Sequence, residues 1–494
     1  MAEILRDHAY STLAAGKWHL TPLAEATAAG PFEAWPLGRG FDRWYGFHGA
    51  MTDEWHPELF EDNHPIDAPD RRGYHLSEDL VDRAIAFVRD QQSARPERPF
   101  FLYLAFGACH WAHQVPRPFI EKYRGRYDRG WDVARAERLG RQKRLGVVPP
   151  NTELAPRNPG VEAWSGLSPD KRRVCARLQE VYAAFLEHTD AQIGRLLAFL
   201  DGLGRTSLAY TFDSADAPTR KQTQHYELLG DRALWHRGWK AVTRHEKGAD
   251  FEADRWELYH VDEDFSECRD LADTHPDRLR ELVERWWAEA GVFAVLPLDD
   301  REYERVFERI RALARTRYVY YPGMARIDRS SAPDVTDRSY GITAEVEIPP
   351  AGAEGVLLAA GTRFGGYVLY LKDGRLVHEY VYSETVRHTI VSDAPVAAGA
   401  RRLRYEFTRT GTRQGGGAPY VDERRVGVNE VPKTWPLHGI AGGVFCGRDG
   451  AVPVSDAYIC PFVFTGTIHR VIVELGDDGR RDAAGEARSA LAEE

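Results

Sequence analysis

The sequence is poor in the residues that crosslink a chain or carry it through a membrane. Its five cysteines are odd in number, widely spaced and without the paired spacing of a metal site: Cys109, Cys175, Cys268, Cys446 and Cys460. They indicate buried or free thiols in a reducing compartment. No apolar run reaches membrane-spanning length, and no secretory leader is recognisable. These absences predict a cytoplasmic location.

A large excess of one charge is also missing. The 494 residues carry a formal net charge of -10, and acidic and basic residues, which make up 28% of the chain, are interspersed. This balance argues against a general surface for nucleic acid or for an anionic membrane, and we expect neither as a partner. The hydrophobic content of 43% is enough to bury a large core, so the length predicts about two domains.

The most informative feature that is present lies near the start of the chain. It is the motif Gly16-Lys17-Trp18-His19-Leu20. Residues 10–16 predict a short strand, which places Lys17 and His19 just past its carboxyl end. A fixed cation followed two residues later by an imidazole suits the binding of an anionic ester.

A second candidate site residue follows another predicted strand. Residues 100–106 are apolar throughout, as in a strand that is covered on both faces of a parallel sheet, and Gly107 ends the run shortly before His110. Open α/β sheets bind their ligands past the carboxyl ends of the strands. We therefore expect Lys17, His19 and His110 to converge on one shallow basic pocket.

The rest of the chain predicts helices first and strands later. Helical periodicity begins at Ser77, a suitable N-cap, and ends before Pro96, with one apolar face formed by Leu80, Val81, Ala84, Ile85 and Val88. A long helix is predicted over 169–202 and is expected to pack by one face, because apolar residues recur at helical spacing, among them Val174, Leu178, Phe185, Leu196, Leu197 and Leu200. Beyond residue 318 short strands with glycine-rich turns predict a lectin-like β-sandwich of the jelly-roll type. The predicted strands are 342–348, 355–360, 367–372, 375–382, 403–407 and 468–475, with a hairpin at Asp373-Gly374.

These patterns predict four segments. Residues 1–300 form an incomplete α/β domain, and 301–329 form a connecting helix and linker. Residues 330–476 form the β-sandwich, and 477–494 form a flexible tail.

Five segments, in their order along the chain, resemble the arylsulfatase branch of the sulfatase / alkaline phosphatase superfamily. They are Gly16-Lys17-Trp18-His19-Leu20, Gly38-Arg39-Gly40-Phe41-Asp42-Arg43-Trp44-Tyr45-Gly46-Phe47, Ala108-Cys109-His110-Trp111-Ala112-His113, Trp239-Lys240-Ala241-Val242 and Trp256-Glu257-Leu258-Tyr259-His260-Val261-Asp262-Glu263-Asp264-Phe265-Ser266-Glu267. The resemblance covers nearly all of residues 1–476. It implies an incomplete alkaline-phosphatase-like (sulfatase) sheet with flanking helices, followed by the sandwich. It also implies a sulfuric ester hydrolase that acts on a small-molecule sulfate ester or a sulfated glycan.

The chemistry of that family requires more than these motifs supply. A hydrated formylglycine, made from the Cys or Ser of Cys/Ser-x-Pro-x-Arg, attacks sulfur while Ca²⁺ or Mg²⁺ neutralises the sulfate oxygens. The resemblance implies that His19 works near the formylglycine hydrate and that Lys17 and His110 contact the sulfate. None of the cysteines has the Pro and Arg at the required offsets, and the acidic pair of the metal site is not found. We expect the chain to hold neither formylglycine nor the metal, and we assign no metal ligand.

The same comparison predicts missing segments. The chain is expected to be truncated at its N-terminus and to have an internal deletion near Arg205, because residues 206–212 follow directly although their counterpart in relatives lies well downstream. An enzyme shortened in this way is expected to be catalytically impaired.

Two other functions stay open beside the impaired hydrolase. One is a non-catalytic protein that binds a glycan or sulfate, and the other is a phosphodiesterase or phosphonate hydrolase of the same superfamily. Neither the physiological substrate nor the oligomeric state follows from the sequence. Structural roles are predicted for the remaining polar candidates, which are Asp62-Asn63, His236 and Asp299-Asp300.

Overall fold

The computed structural model describes residues 1–22, 25–69, 71–158, 160–202, 222–293, 295–301, 315–328, 331–435, 442–450 and 452–479. The predicted deletion near Arg205 and strand 206–212 lie outside the described residues, as does most of the predicted tail. The chain divides into two compact units. The first contains Met1–Gln114, Thr189–Phe199 and Val306–Glu494, and the second contains Val115–His188 and Leu200–Arg305. The predicted domain boundaries stay a prediction.

The first unit begins with a small mixed sheet and two helices. Its elements are α1 (Ala2–Asp7), β1 (Ser11–Lys17), β2 (Arg43–Phe47), β3 (Leu59–Glu61), β4 (His64–Ile66), α2 (Leu76–Ala94) and β5 (Phe100–Ala105). The strand order is β4-β3-β2-β1-β5, and β1 pairs in parallel with both β2 and β5. Among the described residues β5 is therefore an edge strand, and it is only partly buried along its length. The sequence had indicated a strand covered on both faces.

Helix α2 packs against this sheet but starts differently from the prediction. Ser77 was expected to be the N-cap, and this is wrong. The N-cap is His75, whose Nδ1 accepts a hydrogen bond from the backbone N–H of Ser77 at 3.2 Å. The predicted apolar face is confirmed, since Leu80 and Val88 are fully buried.

The second unit combines helices with an antiparallel sheet. Its elements are α3 (Arg117–Glu121), α4 (Trp131–Arg144), α5 (Pro169–Gly202, of which 189–199 group with the first unit), β6 (Thr223–Leu228), β7 (Asp231–His236), β8 (Trp239–Thr243), β9 (Trp256–His260) and α6 (Pro276–Val292). The strand order is β6-β7-β8-β9, and all three pairings are antiparallel. Helix α6 covers the sheet with Leu282, Trp286 and Ala290, which are fully buried.

The long helix α5 has the predicted bounds but leaves much of its apolar surface uncovered. Phe185, Leu196 and Leu200 are buried as expected. In contrast, Val174 is 59% exposed and Leu178 is 51% exposed. The sequence predicted one buried face for all of these residues, and this part of the prediction is wrong for the described structure.

The last part of the first unit is a β-sandwich, as predicted. One sheet has the order β10-β21-β11-β16-β17-β18, with β19 beside β17, and the other has the order β15-β14-β13-β12-β20. The strands are β10 (Arg317–Tyr320), β11 (Tyr340–Ile348), β12 (Gly355–Thr362), β13 (Gly365–Lys372), β14 (Arg375–Ser383), β15 (Val386–Val391), β16 (Gly399–Gly411), β17 (Gln414–Val421), β18 (Arg424–Arg425), β19 (Asn429–Val431), β20 (Val444–Cys446) and β21 (Thr467–Leu475). The predicted hairpin is confirmed, because Asp373 and Gly374 adopt left-handed φ angles of 50° and 68° between β13 and β14.

Within the first unit, the sandwich contacts the N-terminal sheet around Glu58. The Arg326 side chain, 7% exposed, pairs with the Glu58 carboxylate at 2.9 Å and lies over the ring of Phe60. The backbone N–H of Gly442 donates to the same carboxylate at 3.3 Å. Residues distant in sequence therefore cover the β2–β3 side of the sheet. None of the helices in the described ranges has both the length and the apolar character that crossing a membrane requires.

Candidate functional site

The two segments that carry the predicted site residues leave the sheet at the same edge. Strands β1 and β5 run side by side in parallel, with Gly16 opposite Ala105. On the other side of β1, Lys17 is opposite Phe47 of β2. Lys17 is the last residue of β1 and is partly buried, one position nearer the strand than predicted. The carboxyl ends of parallel strands are where such sheets place their ligands.

The packing of β5 against β1 explains why position 16 is a glycine. Gly16 has φ +109°, and a Cβ atom there would lie 1.7 Å from the carbonyl oxygen of Ala105. No side chain fits in that space, and L residues rarely adopt such a φ. The close approach of β5 to β1 therefore requires glycine immediately before Lys17.

Trp18 fixes the direction of the residues on either side of it. Its indole is 9% exposed, and Nε1 donates a hydrogen bond to the carbonyl oxygen of Ala34 at 2.9 Å. The ring also meets that of Phe41 edge-on at 5.9 Å. Trp18 is therefore anchored in the core, whereas Lys17 is partly buried and His19 is exposed with φ +50°.

His110 lies in the turn that follows β5. Its backbone N–H donates to the carbonyl oxygen of Gly107 at 2.9 Å. Its Nδ1 lies 2.6 Å from the carbonyl oxygen of Trp111. A carbonyl oxygen only accepts, so in the neutral ring Nδ1 carries the hydrogen and Nε2 keeps the lone pair. The convergence of Lys17, His19 and His110 on one pocket stays a prediction.

The residues in the described ranges do not fit the metal that the resemblance implies. Calcium and magnesium need several oxygen ligands arranged around one point. Among those residues, no three side chains from His, Cys, Asp and Glu are grouped so that they could hold a metal ion. No metal ligand is therefore assigned.

The structure adds a buried acid that the sequence did not indicate. Glu54, in the connection between β2 and β3, is 3% exposed, and its carboxyl group lies beside Gly107 at the start of the His110 turn. Burial raises the pKa of Glu54 to about 8; the Ser77 hydroxyl, which donates to it at 3.3 Å, opposes this shift, and the charge of Asp53 adds to it. No sequence signal distinguishes such a residue, because glutamate usually lies at the surface.

Its neighbour Asp53 behaves in the opposite way. Burial alone would raise its pKa, but hydrogen bonds from the His56 side chain, the Gln114 side chain and the backbone N–H groups of His56 and Trp55 lower it to about 2. The Gln114 amide donates to Asp53 Oδ2 at 2.9 Å. Asp53 is therefore a fixed anion close to the neutral form of Glu54.

The other predicted polar residues lie in structural positions. Asp62 and Asn63 form the two-residue turn between β3 and β4, as predicted. His236 is buried at the end of β7. Asp300 accepts a hydrogen bond from the backbone N–H of Gly248. None of them lies on the β1 or β5 segments.

Comparison with known proteins adds to this geometry. A family model described as Sulfatase matches residues 1–238. The match places this segment, residues 1–238, within the sulfatase superfamily. An uncharacterized sulfatase of Schizosaccharomyces pombe is 33% identical over 224 residues, which are 44% of this chain and 40% of that protein. The arylsulfatase of Klebsiella aerogenes is 32% identical over 231 residues, 44% of this chain and 48% of the enzyme.

The chain thus spans less than half the length of these curated relatives. Among solved structures, Ps i-CgsB in complex with k-i-k-neocarrahexaose is similar over 64% of this chain and 79% of that chain, with 15% identity and a TM-score of 0.39. The described fold is the expected mixed α/β type, with a sulfatase-like sheet and an added β-sandwich.

Proposed function

We propose that this chain carries the sulfate-binding residues of an arylsulfatase-type sulfuric ester hydrolase. The observation that supports this most is the parallel pairing of β1 and β5, which brings the Lys17 and His110 segments to one edge of a sulfatase-family sheet. The substrate class is a small-molecule sulfate ester or a sulfated glycan.

The three side chains have distinct roles in this proposal. Lys17 supplies a fixed positive charge to the sulfate group. His110 contacts a second sulfate oxygen, and His19, which is exposed, corresponds to the histidine that works near the formylglycine hydrate in the family. A sulfate monoester is an anion, so a lysine and two imidazoles at a sheet edge match its charge and its acceptors.

No hydrolytic step is assigned to the 494-residue chain. Its sequence contains no Cys/Ser-x-Pro-x-Arg segment, and the described residues hold no cluster for Ca²⁺ or Mg²⁺. Removing a whole catalytic unit reduces turnover by about a million-fold in well-studied hydrolases. We therefore expect binding without measurable turnover.

Binding is measured with two probes, and the second of them, 4-nitrophenyl sulfate, also reports turnover by release of 4-nitrophenol. Calorimetric titration with inorganic sulfate and with 4-nitrophenyl sulfate compares the wild type with Lys17→Ala and His110→Ala. Each substitution should weaken binding by about tenfold or more, because a hydrogen bond to a charged group is worth about 1.5–3 kcal/mol. Lys171→Ala, an exposed lysine on α5, is the matched control and should bind like the wild type.

The results of these measurements distinguish sulfate binding, sulfate-ester hydrolysis and phosphodiester hydrolysis. Wild-type protein that binds neither probe would overturn the proposal. Turnover of 4-nitrophenyl sulfate that needs both Lys17 and added Ca²⁺ or Mg²⁺ would reveal an unrecognised nucleophile. Hydrolysis of bis(4-nitrophenyl) phosphate in preference to the sulfate ester would favour the phosphodiesterase alternative.

A further inference from the structure

The turn that carries His110 is held at both of its ends by residues from outside it. It comprises residues 107–114 and joins β5 to the chain that follows. The groups that hold it come from the connection between β2 and β3 and from the N-terminus of α2. All of them lie in the first unit.

At its first end, the turn meets the Glu54 carboxyl group. A Cβ atom built on Gly107 would lie 2.7 Å from Glu54 Oε1 and 3.4 Å from the ring of Phe47. The carboxyl group therefore occupies the space that a side chain at position 107 would need. Because Gly107 also accepts the N–H of His110, this contact is one hydrogen bond away from the predicted sulfate ligand.

At its second end, the turn is held through Gln114. The backbone N–H of Glu54 donates to Gln114 Oε1 at 2.7 Å, and the Gln114 amide donates to Asp53 Oδ2 at 2.9 Å. Both polar groups of the Gln114 side chain are thus used by two consecutive acidic residues.

His75 completes the second attachment. Its Nδ1 accepts from the Ser77 N–H, so in the neutral ring Nε2 carries the hydrogen and donates to the Gln114 carbonyl oxygen at 3.1 Å. His75 Nδ1 also lies 3.8 Å from Oε2 of the Glu54 carboxyl group. The cap of α2 and the end of the turn are therefore one hydrogen-bonded unit.

We propose that Glu54 is a positioning residue for His110, acting through the contact of its carboxyl group with Gly107 at the first end of the turn. Its backbone N–H joins the Gln114 and His75 hydrogen bonds that hold the second end, and these do not depend on its side chain. This inference rests on the proposed function, because it takes His110 as a sulfate ligand. A positioned imidazole binds an anion better than a mobile one, since less conformational entropy is lost on binding.

The charge on Glu54 should control this positioning. The groups that face it are the Ser77 hydroxyl and N–H in the first turn of α2, the His75 ring and the Asp53 carboxylate. Asp53 is an anion and the site is buried, so ionised Glu54 is poorly accommodated. As the pH rises through about 8, Glu54 ionises and repels Asp53, and the turn should loosen.

The test compares full-length wild type, Glu54→Gln, Glu54→Ala and the control Glu97→Gln, which makes the same substitution at an exposed position. Calorimetry with inorganic sulfate gives the affinity. Hydrogen exchange of the peptide that contains residues 107–114 gives the order of the turn between pH 6 and pH 9.5, corrected for the intrinsic rate.

Glu54→Ala should weaken sulfate binding by about tenfold at pH 7, whereas the isosteric Glu54→Gln should restore binding to within about twofold of the wild type. Wild type and Glu97→Gln should lose protection in the turn as the pH passes through about 8. Glu54→Gln cannot ionise and should keep its protection.

Two results would overturn the inference. One is a Glu54→Gln protein whose protection falls with pH as in the wild type, and the other is wild-type affinity in Glu54→Ala. If Glu54→Ala fails to fold, the pH profile of Glu54→Gln still decides. Failure of the proposed function can be told apart from failure of this inference. A wild type that binds no sulfate would contradict the proposed function, whereas hydrogen exchange would still show whether Glu54 orders the turn.

Discussion

Asp53 and Glu54 are neighbours in sequence, yet their pKa values move in opposite directions. Asp53 receives hydrogen bonds from His56, Trp55 and Gln114, which stabilise its anion. The Glu54 carboxyl group has little more than the Ser77 hydroxyl and N–H to offset its burial. At the scale of single residues, the number of donors that reach a buried carboxyl group decides its charge.

The raised pKa of Glu54 predicts a stability that depends on pH. In the unfolded chain Glu54 ionises near its ordinary value of 4.5, whereas in the folded protein it ionises near 8. Between these values the unfolded state binds fewer protons, so the free energy of unfolding falls as the pH rises and levels off above about 8. Glu54→Gln removes this loss, which above pH 8 is on the order of 5 kcal/mol.

Thermal unfolding at pH 5 and pH 8 measures this difference. We expect Glu54→Gln to unfold at a higher temperature than the wild type at pH 8, with a much smaller gap at pH 5. Glu97→Gln should follow the wild type at both values. Equal melting temperatures of Glu54→Gln and wild type at pH 8 would contradict the prediction.

At the scale of elements, α5 shows which features of a helix its sequence periodicity can predict. Its bounds follow from the spacing of its apolar residues, but spacing does not say which of them will find a partner. Leu196 is 7% exposed, whereas its neighbour Leu197 is 51% exposed. The buried face of α5 is therefore narrower than the apolar face that its sequence predicts.

This pair makes a matched experiment on one helix. Leu196→Ala should lower the free energy of unfolding by about 2–5 kcal/mol, the usual range for a buried leucine. Leu197→Ala should change it by less than about 0.5 kcal/mol, as at other surface positions. Chemical denaturation of the two variants measures both values. Equal losses would show that the exposed face of α5 is covered in solution.

Local patterns predicted much of the fold, but contacts between distant residues were not predictable. The hairpin at Asp373-Gly374 was predictable because only a few residue types adopt left-handed turns readily. The cap of α2 was missed because a histidine, which is not a usual N-cap residue, accepts the Ser77 N–H. Glu54 was missed because its burial depends on segments that meet only in the folded sheet.

The candidate site was predictable to a similar extent. The strand ends at Lys17 and before His110 could be inferred from apolar runs and glycines, and the parallel pairing of β1 and β5 agrees with this. The hydrogen bonds from Gln114 and His75 join three separate stretches of chain. No periodicity within any one of them indicates such a contact.

At the scale of the whole molecule, the first unit is assembled from distant parts of the sequence. The sandwich has two sheets that bury each other, with Leu369 and Val471 fully inside. In the described residues the N-terminal sheet instead ends at β5, which is only partly buried, and the sheet receives Arg326 from beyond its own segment. The two parts should therefore differ in how far they fold alone.

Limited proteolysis of the full chain tests this difference. We expect the region from about residue 330 to about 476 to survive as a fragment while the N-terminal half is cleaved, because unpaired strand edges and exposed apolar side chains open more easily. Mass spectrometry of the surviving fragments identifies them. Preferential survival of the N-terminal half would contradict the prediction.

The contact between Gly442 and Glu58 also has a consequence in time. The two residues are 384 positions apart in the chain. At a synthesis rate of about 5–20 residues per second, roughly 20–80 seconds pass between their appearance at the ribosome. During this interval Glu58 has emerged, but Gly442, which later donates a hydrogen bond to it, has not been made. A segment that is synthesised long before its partner is thus completed late, and a nascent chain in this state is a natural client for chaperones.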